Sequence, residues 1–372
     1  MDSGLLSGAG VLNVPQAAKN IERIRDHVGS DLFRSIQPVI NRFLRETGDP
    51  DMALNNLERF LSELHASGRL ASDPDAIPVI LPQLIILFGA SRFLSAFCIS
   101  HPDRSFNLLF GGDYLTNPAE RITLASRLND LLSAGMREDE VMKAFRIFRK
   151  GEMLRIGLRD ILGKADLAET VGELSLLAEV CLQAAYERAE KVLRNRHGMP
   201  LVVHEDGTVE PAGFAVIAMG KLGGGELNFS SDIDLMYVYS ADGETHGVPS
   251  DDGTMTNRIS NHQFFIKLAE HISLSLGKTT EDGFVFRVDL RLRPEGQQGP
   301  LAQSLGGYEI YYESWGQTWE RSALIKAWPV AGDEAVGRNF LERITPFVYR
   351  KYLDFGAIVE IRDMKQKINR EV

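Results

Sequence analysis

The sequence predicts an α+β protein with a large helical N-terminal region, a small mixed sheet, and helices that return at the C-terminal end. Three observations carry this. Apolar residues recur at helical spacing through most of the first two hundred positions. Near residue 198 that pattern gives way to short, nearly continuous apolar runs of strand length. Helical spacing then resumes from residue 309. A chain of 372 residues is long enough for two or three domains. The expected division is a helical domain over 1–200, a mixed-sheet domain over 201–330, and the start of a further helical domain over 331–372 that is truncated in mid-helix.

Each element has its own signal. Ile21, Ile24 and Val28 form one helical set and Leu54, Leu57, Phe60, Leu61 and Leu64 another, with Pro38 and Pro50 between them, so two helices are expected over 21–64. Pro74, Pro78 and Pro82 mark a turn region. Helical spacing resumes over 84–99 and again over 124–132. From 138 to 196 there is no proline, and Gly163 and Gly172 are the expected breaks. Arg146, Arg149, Arg155 and Arg159 in that stretch read as a solvated or inter-domain face. His197-Gly198-Met199-Pro200 ends the helix, and short strands begin at Leu201. The run 214–219 reads as a buried strand, 233–239 as a second, 261–276 as a helix, and the alternating segment 284–292 as a third strand. The polar loop 243–257 is the expected mobile element, with Asp251 and Asp252 solvated. Trp315, Trp319 and Trp328 read as core, with Trp319-Glu320-Arg321 and Lys326 placed to border a cleft.

Composition excludes several classes. Hydrophobic residues make up 44% and charged residues 25%, so the chain is neither disordered nor collagen-like. Lysine and arginine number 41 against 51 acidic residues, a formal charge of −10. That argues against a broad basic surface for duplex DNA, and no nucleic-acid partner is expected. Cys98 and Cys181 are too few for a disulfide framework or a four-ligand zinc site, and read as buried thiols in a reducing compartment. A membrane-spanning helix needs about 20 apolar residues; the longest apolar stretch, 79–90, contains Pro82 and Gln83. The first residues lack a signal-peptide pattern. A cytoplasmic protein with no membrane partner is therefore expected, and the sequon Asn228-Phe229-Ser230 reads as a chance match.

The chemistry concentrates in residues 220–235, which follow one expected strand and enter another. If Asp232 and Asp234 both lie in a strand, they project from the same face. Two carboxylates that close repel unless a cation bridges them, and oxygen donors favour Mg²⁺. Asp289, in the middle of the third expected strand, supplies a third carboxylate, the set two Mg²⁺ ions use to clamp an in-line phosphoryl or nucleotidyl displacement. Gly220, Gly223, Gly224 and Gly225 form a turn that can bring backbone N–H groups near phosphate oxygens. Lys221 is followed by Leu222, which excludes a Walker A loop; the run contains no G-x-G-x-x-G, and Met236 spoils an EF-hand. A D-x-D pair at a strand start is often only a solvated edge, but here apolar flanks and a preceding glycine turn favour a site. Arg287, Arg291 and Arg293 follow alternate-residue spacing with Asp289 and suit phosphate or carboxylate pairing.

The run GKLGGGELNFSSDIDL over 220–235 resembles closely the signature of glutamine synthetase adenylyltransferases, also called glutamate–ammonia-ligase adenylyltransferases, in the nucleotidyltransferase superfamily that includes the DNA polymerase β type. FRKGEMLRIGLRDILGKADL at 148–167, DGFVFRVDLRLRPEGQQGPLAQSL at 282–305, WERSALIKAWPVAGD at 319–333 and IVEIRDMK at 358–365 extend the resemblance over most of the chain. It implies a polymerase-β-like sheet and one half of a bifunctional enzyme. In that family the N-terminal half removes AMP from a tyrosine of glutamine synthetase by phosphorolysis, releasing ADP, and the C-terminal half attaches AMP from ATP. The version N-F-S-S-D-I-D-L, after a long helical lead, resembles the adenylyl-removing half; the other half typically reads G-Y-S-S-D-L-D-L. The resemblance implies Asp232, Asp234 and Asp289 as metal-binding catalytic residues with Mg²⁺, and Gly220, Lys221, Gly223, Gly224 and Ser231 as the nucleotide-phosphate loop. Arg291 or Arg293 is the candidate for positioning phosphate. The implied partners are AMP-modified glutamine synthetase, phosphate and ADP, with the PII signal protein acting on the full-length enzyme. Two alternatives stay open: an AMP-attaching domain using ATP, and a non-catalytic module that binds glutamine synthetase or PII.

Overall fold

The computed structural model describes residue 6 and residues 8–349, except 111 and 134, together with isolated positions between 359 and 370. The helix expected over 360–372 and the familial segment 358–365 fall outside the described residues apart from those positions. The chain forms two compact units, Met1–Ala119 with Phe148–Glu173, and Glu120–Ile147 with Leu174–Val372. The division therefore passes through two long helices instead of falling near residue 200, and the described part of 331–372 belongs to the same unit as the sheet.

The first unit is helical. Helix α1 (Val14–Phe43) starts where the Asn13 side chain accepts the Gln16 N–H, and it buries Ile21, Ile24, Phe33, Ile36 and Ile40. Its irregularity is at Gly29, whose φ of 79° is non-helical, whereas Pro38 lies inside it. The break between the two expected helices falls after residue 43. Helix α2 (Pro50–Ala66) is capped by Asp49, which accepts the Met52 N–H at 2.9 Å. Helix α3 (Ile77–Ala90) is buried on nearly every side, at Ile77, Ile80, Leu81, Leu84, Ile85, Leu87 and Phe88. The longest apolar stretch is thus a core helix, with Pro78 in its first turn and Pro82 inside it. Among the described residues no helix is long and apolar enough to cross a membrane. Helices α4 (Arg92–Ser100) and α5 (Pro102–Phe110) complete this core. Burial there pushes the Cys98 thiol up to about 12, and Cys181 in the other unit is also buried.

Helices α6 (Arg121–Asn129), α7 (Glu138–Ile161) and α8 (Leu167–His197) follow. Of the two expected breaks, Gly163 lies in the turn between α7 and α8 with φ 64°, while Gly172 is inside α8. The arginines of α7 are not on a solvated face. Arg155 and Arg159 are 0% and 1% exposed. In the first unit Arg155 pairs with Glu152 (2.7 Å) and Glu173 (2.6 Å), and Arg159 with Glu169 (2.5 Å) and Glu173. Tyr114 donates to Glu152 at 2.6 Å. Arg146, in the second unit, donates to the carbonyls of Met142 and Gly283, each at 2.7 Å, and of Lys278. Paired carboxylates allow Arg155 and Arg159 inside, and backbone carbonyls satisfy the Arg146 donors.

In the second unit β1 (Pro200–Val203) pairs antiparallel with β2 (Val209–Pro211). Strand β3 (Phe214–Ala218) pairs antiparallel with β4 (Ile233–Tyr239). The loop expected to be mobile carries β5 (Glu244–Thr245), which pairs with β1, and the ribbon β6 (Val248–Pro249) and β7 (Met255–Thr256). Asp252 closes that ribbon's turn by accepting from Ser250 and Thr254. Helix α9 (Asn261–Gly277) matches its expected span. Strands β8 (Val288–Asp289) and β9 (Ala302–Ser304) both run parallel to β4, on its early and late residues respectively. After helices α10 (Leu305–Ser314) and α11 (Thr318–Leu324), strand β10 (Trp328–Gly332) returns antiparallel to β3, and helix α12 (Glu334–Val348) follows. β3 is buried throughout because both sheet faces are covered. Ala215, Ile217 and Met219 join Tyr308, Tyr312, Phe340 and Ile344 in one cluster, while Phe214 stacks on Tyr186, Tyr237 and Phe265. The three tryptophans are not core: Trp315, Trp319 and Trp328 are 70%, 43% and 58% exposed.

Replacing Arg159 by Met leaves Glu173, only 4% exposed, without one of its two cationic partners. The expected loss is about 3–5 kcal/mol, the usual effect of breaking a buried pair from one side. Urea denaturation checks it; a loss below about 1 kcal/mol would contradict a neutralising role.

Candidate active site

The site begins from register. Ile233, Leu235 and Met236 are wholly buried on the two covered faces of β4, so a shifted strand would have to repack its apolar side chains on both sides of the sheet. That fixes Asp234, which lies opposite Asp289 in the parallel β4–β8 pairing. Asp232 precedes the strand and is held differently, by the guanidinium of Arg287, which also donates to the Ser230 carbonyl at 2.6 Å. Asp232 thus lies one residue before the strand, and the strand pairing itself places only Asp234.

The third strand is far shorter than the alternation over 284–292 predicts, and the reason is local. Asp289 accepts the Arg291 N–H at 2.8 Å and takes the Arg291 guanidinium at 2.5–3.0 Å, which folds the chain back two residues after the strand. Glu295 and Gly296 follow with positive φ. Arg287, Arg291 and Arg293 hence do not line one strand face. Arg293 is buried, with its guanidinium donating to the carbonyls of Leu290 (2.6 Å), Gly299 (3.2 Å) and Gln297 (3.3 Å). Those bonds hold the turn and account for Arg293 as a structural residue. Arg287 and Arg291 remain exposed at the carboxylates.

The electrostatics follow from this crowding. Burial, then the neighbouring Asp289 and Asp232, raise Asp234 above the ordinary carboxylate range, with Arg291 and Lys221 pulling the other way. Asp289 moves oppositely, because hydrogen bonds from Arg291 favour its ionised form.

Beside the carboxylates lies the glycine turn, a single helical turn over Gly220–Gly223. Gly220 has φ 55°, and a Cβ there would stand 2.4 Å from an Asp234 carboxylate oxygen. A Cβ on Gly223 would stand 1.9 Å from the Lys326 carbonyl oxygen. The N–H groups of Gly223 and Gly224 are spent on the carbonyls of Met219 and Gly220, so these glycines give room for close approach and no free donor. Lys221 is exposed. Ser231 donates to the Asn228 side chain at 2.7 Å, closing the turn between the glycines and Asp232. Lys326 crosses the glycine turn and pairs with Glu226. This last contact joins residues a hundred positions apart, which no local pattern shows; the Asn228 turn was legible as an N-x-x-S pattern.

Three carboxylates are hard oxygen donors of the kind Mg²⁺ takes. Yet among the described residues no three acidic, histidine or cysteine side chains are disposed as a metal cluster. Two of the three aspartates are engaged by arginine.

Comparison with known proteins gives this arrangement a context. Residues 81–343 match the sequence profile of the family described as glutamate-ammonia ligase adenylyltransferase. A relative in Thioalkalivibrio sulfidiphilus, named bifunctional glutamine synthetase adenylyltransferase/adenylyl-removing enzyme, is 41% identical over 322 residues, 87% of this chain and 32% of the relative. Proteins of the same name in Hahella chejuensis and Pseudomonas aeruginosa are 39% and 43% identical, over 78% and 69% of this chain and 29% and 25% of their own. The chain thus spans about a third or less of the length of these curated relatives.

Two substitutions test the geometry. Asp234→Asn should stabilise the fold at neutral pH, because the folded-state pKa is raised: the destabilisation by the ionised carboxylate is full above that pKa and absent below the ordinary carboxylate range. Thermal melts against pH should show the gain shrinking as pH falls; a gain that grows on acidification would contradict the assignment. Gly220→Ala should cost about 1–2 kcal/mol from positive φ alone, more if Asp234 must move, measured as a fall in melting temperature.

Proposed function

This chain belongs to the glutamate-ammonia ligase adenylyltransferase family, and we propose that its site is the adenylyl-removing one. It takes glutamine synthetase carrying AMP on a tyrosine, uses inorganic phosphate as the attacking group, and releases ADP and the free tyrosine. The observation that supports this best is the Asp234–Asp289 pair on adjacent parallel strands, set against a glycine turn that has no room for a side chain at Gly220 or Gly223. The sheet is read as the polymerase-β-like nucleotidyltransferase type. The segment N-F-S-S-D-I-D-L, in place of the variant typical of the attaching half, favours removal over attachment.

The chemistry needs position and charge more than covalent participation. Asp232, Asp234 and Asp289 would hold Mg²⁺, which supplies neutralisation of the anionic oxygens when bound. Gly220, Gly223 and Gly224 keep the turn bare so that the AMP phosphate can approach, with Lys221 and Ser231 adding a charge and a hydroxyl. Arg291 steers the incoming phosphate. A phosphate oxygen forms a bond to the AMP phosphorus as the bond to the tyrosine oxygen breaks; the proton carried by the phosphate ends on the tyrosine, and the new anhydride is ADP. In the longer protein the PII signal protein is the expected regulator, and the setting is the cytoplasm.

The test mixes the chain with AMP-modified glutamine synthetase, Mg²⁺ and phosphate, and follows ADP. Release is expected, falling at least about a hundredfold in Asp232→Asn with the fold intact. Undiminished turnover in that variant would end the assignment of Asp232. AMP attached to unmodified synthetase from ATP, with pyrophosphate released and no ADP, would reverse the direction.

A further inference from the structure

Three helices of the second unit line a cavity of about 190 Å³ whose lining includes none of the candidate active-site residues. Its apolar wall is Val141, Met142 and Phe145 of α7 with Ala185 and Ala189 of α8, all buried. His271 and Ser275 line it from α9, one helical turn apart and therefore on one face. Glu138 of α7 and Arg188 of α8 complete the polar lining. Arginine-to-carbonyl bonds hold these walls together. Arg188 donates to the Met136 carbonyl at 3.1 Å, and Arg146 joins the Met142 carbonyl to that of Lys278, just after α9. The cavity is thus preformed. Its volume, the liquid share of about six water molecules, lies below the roughly 300–1,000 Å³ of sites for drug-sized molecules, so it suits a small ligand.

The polar groups narrow the chemistry. His271 Nδ1 lies 2.7 Å from the Lys267 carbonyl, which can only accept, so Nδ1 carries the hydrogen and Nε2 of the neutral ring is an acceptor. Among the described residues, His271 Nε2, the Ser275 hydroxyl and the Glu138 carboxylate have no partner within the protein, and Arg188 meets no carboxylate. Two acceptors therefore stand with one guanidinium fork beside an apolar wall. An ammonium suits Glu138 and His271, a carboxylate suits Arg188, and an apolar side chain suits the buried faces of α7 and α8. A lone carboxylate would be repelled by Glu138, and a lone amine by Arg188. We infer that the cavity binds a free α-amino acid with a branched or aromatic apolar side chain. The amino acid's carboxylate pairs with Arg188 and its ammonium with Glu138 and His271, while Ser275 adds a hydroxyl.

The experiment titrates the full chain with L-leucine and L-phenylalanine in a calorimeter, and with two analogues that each lack one charge, 4-methylpentanoate and 3-methylbutylamine. At least one of the amino acids should bind with a Kd at or below about 1 mM. Each analogue should bind at least about tenfold more weakly than leucine, because one charged group of the site is left unpaired. Glycine, with no side chain for the apolar wall, should not bind. Glu138→Gln, at an exposed position, should weaken leucine about tenfold and leave 4-methylpentanoate no weaker. Arg188→Gln should weaken leucine similarly and leave 3-methylbutylamine no weaker. Circular dichroism checks that both variants keep the helices of the parent. No binding of either amino acid at about 10 mM, analogues that bind as tightly as leucine, or leucine binding untouched in a folded Glu138→Gln chain overturns the assignment. Binding is read without turnover, so its outcome is independent of the reaction proposed above.

Discussion

Asp234 and Asp289 face one another because the sheet gives them no choice. Their backbones are paired in parallel register, and the register is set by side chains with no exposure to water, Ile233 and Leu235 among them. Like charges at adjacent strand positions are unfavourable, and partial burial sharpens the repulsion by lowering the local dielectric. The apolar core therefore sustains an arrangement that the carboxylates would otherwise relax. Functional sites commonly hold such strain, kept in place by surroundings that over-determine it. Here the surroundings are a β3 strand covered on both faces and aromatic packing on either side of the sheet.

The glycine turn depends on the same register. β10 pairs with β3 so that Trp328 lies opposite Ala218, which carries the Lys326 carbonyl up against Gly223. On the other side Asp234 comes up against Gly220. A turn squeezed between a backbone carbonyl and a carboxylate has no space for a Cβ at either end. Its glycines thus answer two distinct steric demands, and only Gly220 also needs the left-handed backbone.

Much of this was legible in the sequence. Residues 233–239 and 261–276 fall where the apolar pattern puts them, because burial on two faces in one case and a clear helical stripe in the other leave little room for alternatives. The candidate aspartates were legible as residue types, and Asp289 does come to rest against Asp234. What failed shares one cause. Strand 284–292 shrinks to two residues because the Asp289 side chain captures the backbone and guanidinium of Arg291. Asp232, one residue before the strand, is taken by Arg287. The α7 arginines read as a solvated or inter-domain face because a charge in a sequence implies water or a partner surface, while the acids that neutralise Arg155 and Arg159 include Glu173 on the next helix. Side-chain partners override periodicity, and a linear pattern does not contain them. The exposed tryptophans are the converse case, where composition implies burial and the fold declines it.

Charge around the glycine turn is balanced by pairing. Asp232, Asp289 and Glu226 are matched by Arg287, Arg291 and Lys326, and Asp234 has Lys221 and Arg291 acting on it. Carboxylates and cations around the turn are therefore equal in number, within a chain that is acidic as a whole. A locally neutral site has no surplus positive charge with which to hold two anions together, so the reaction proposed above asks for a further positive charge that the paired side chains do not offer.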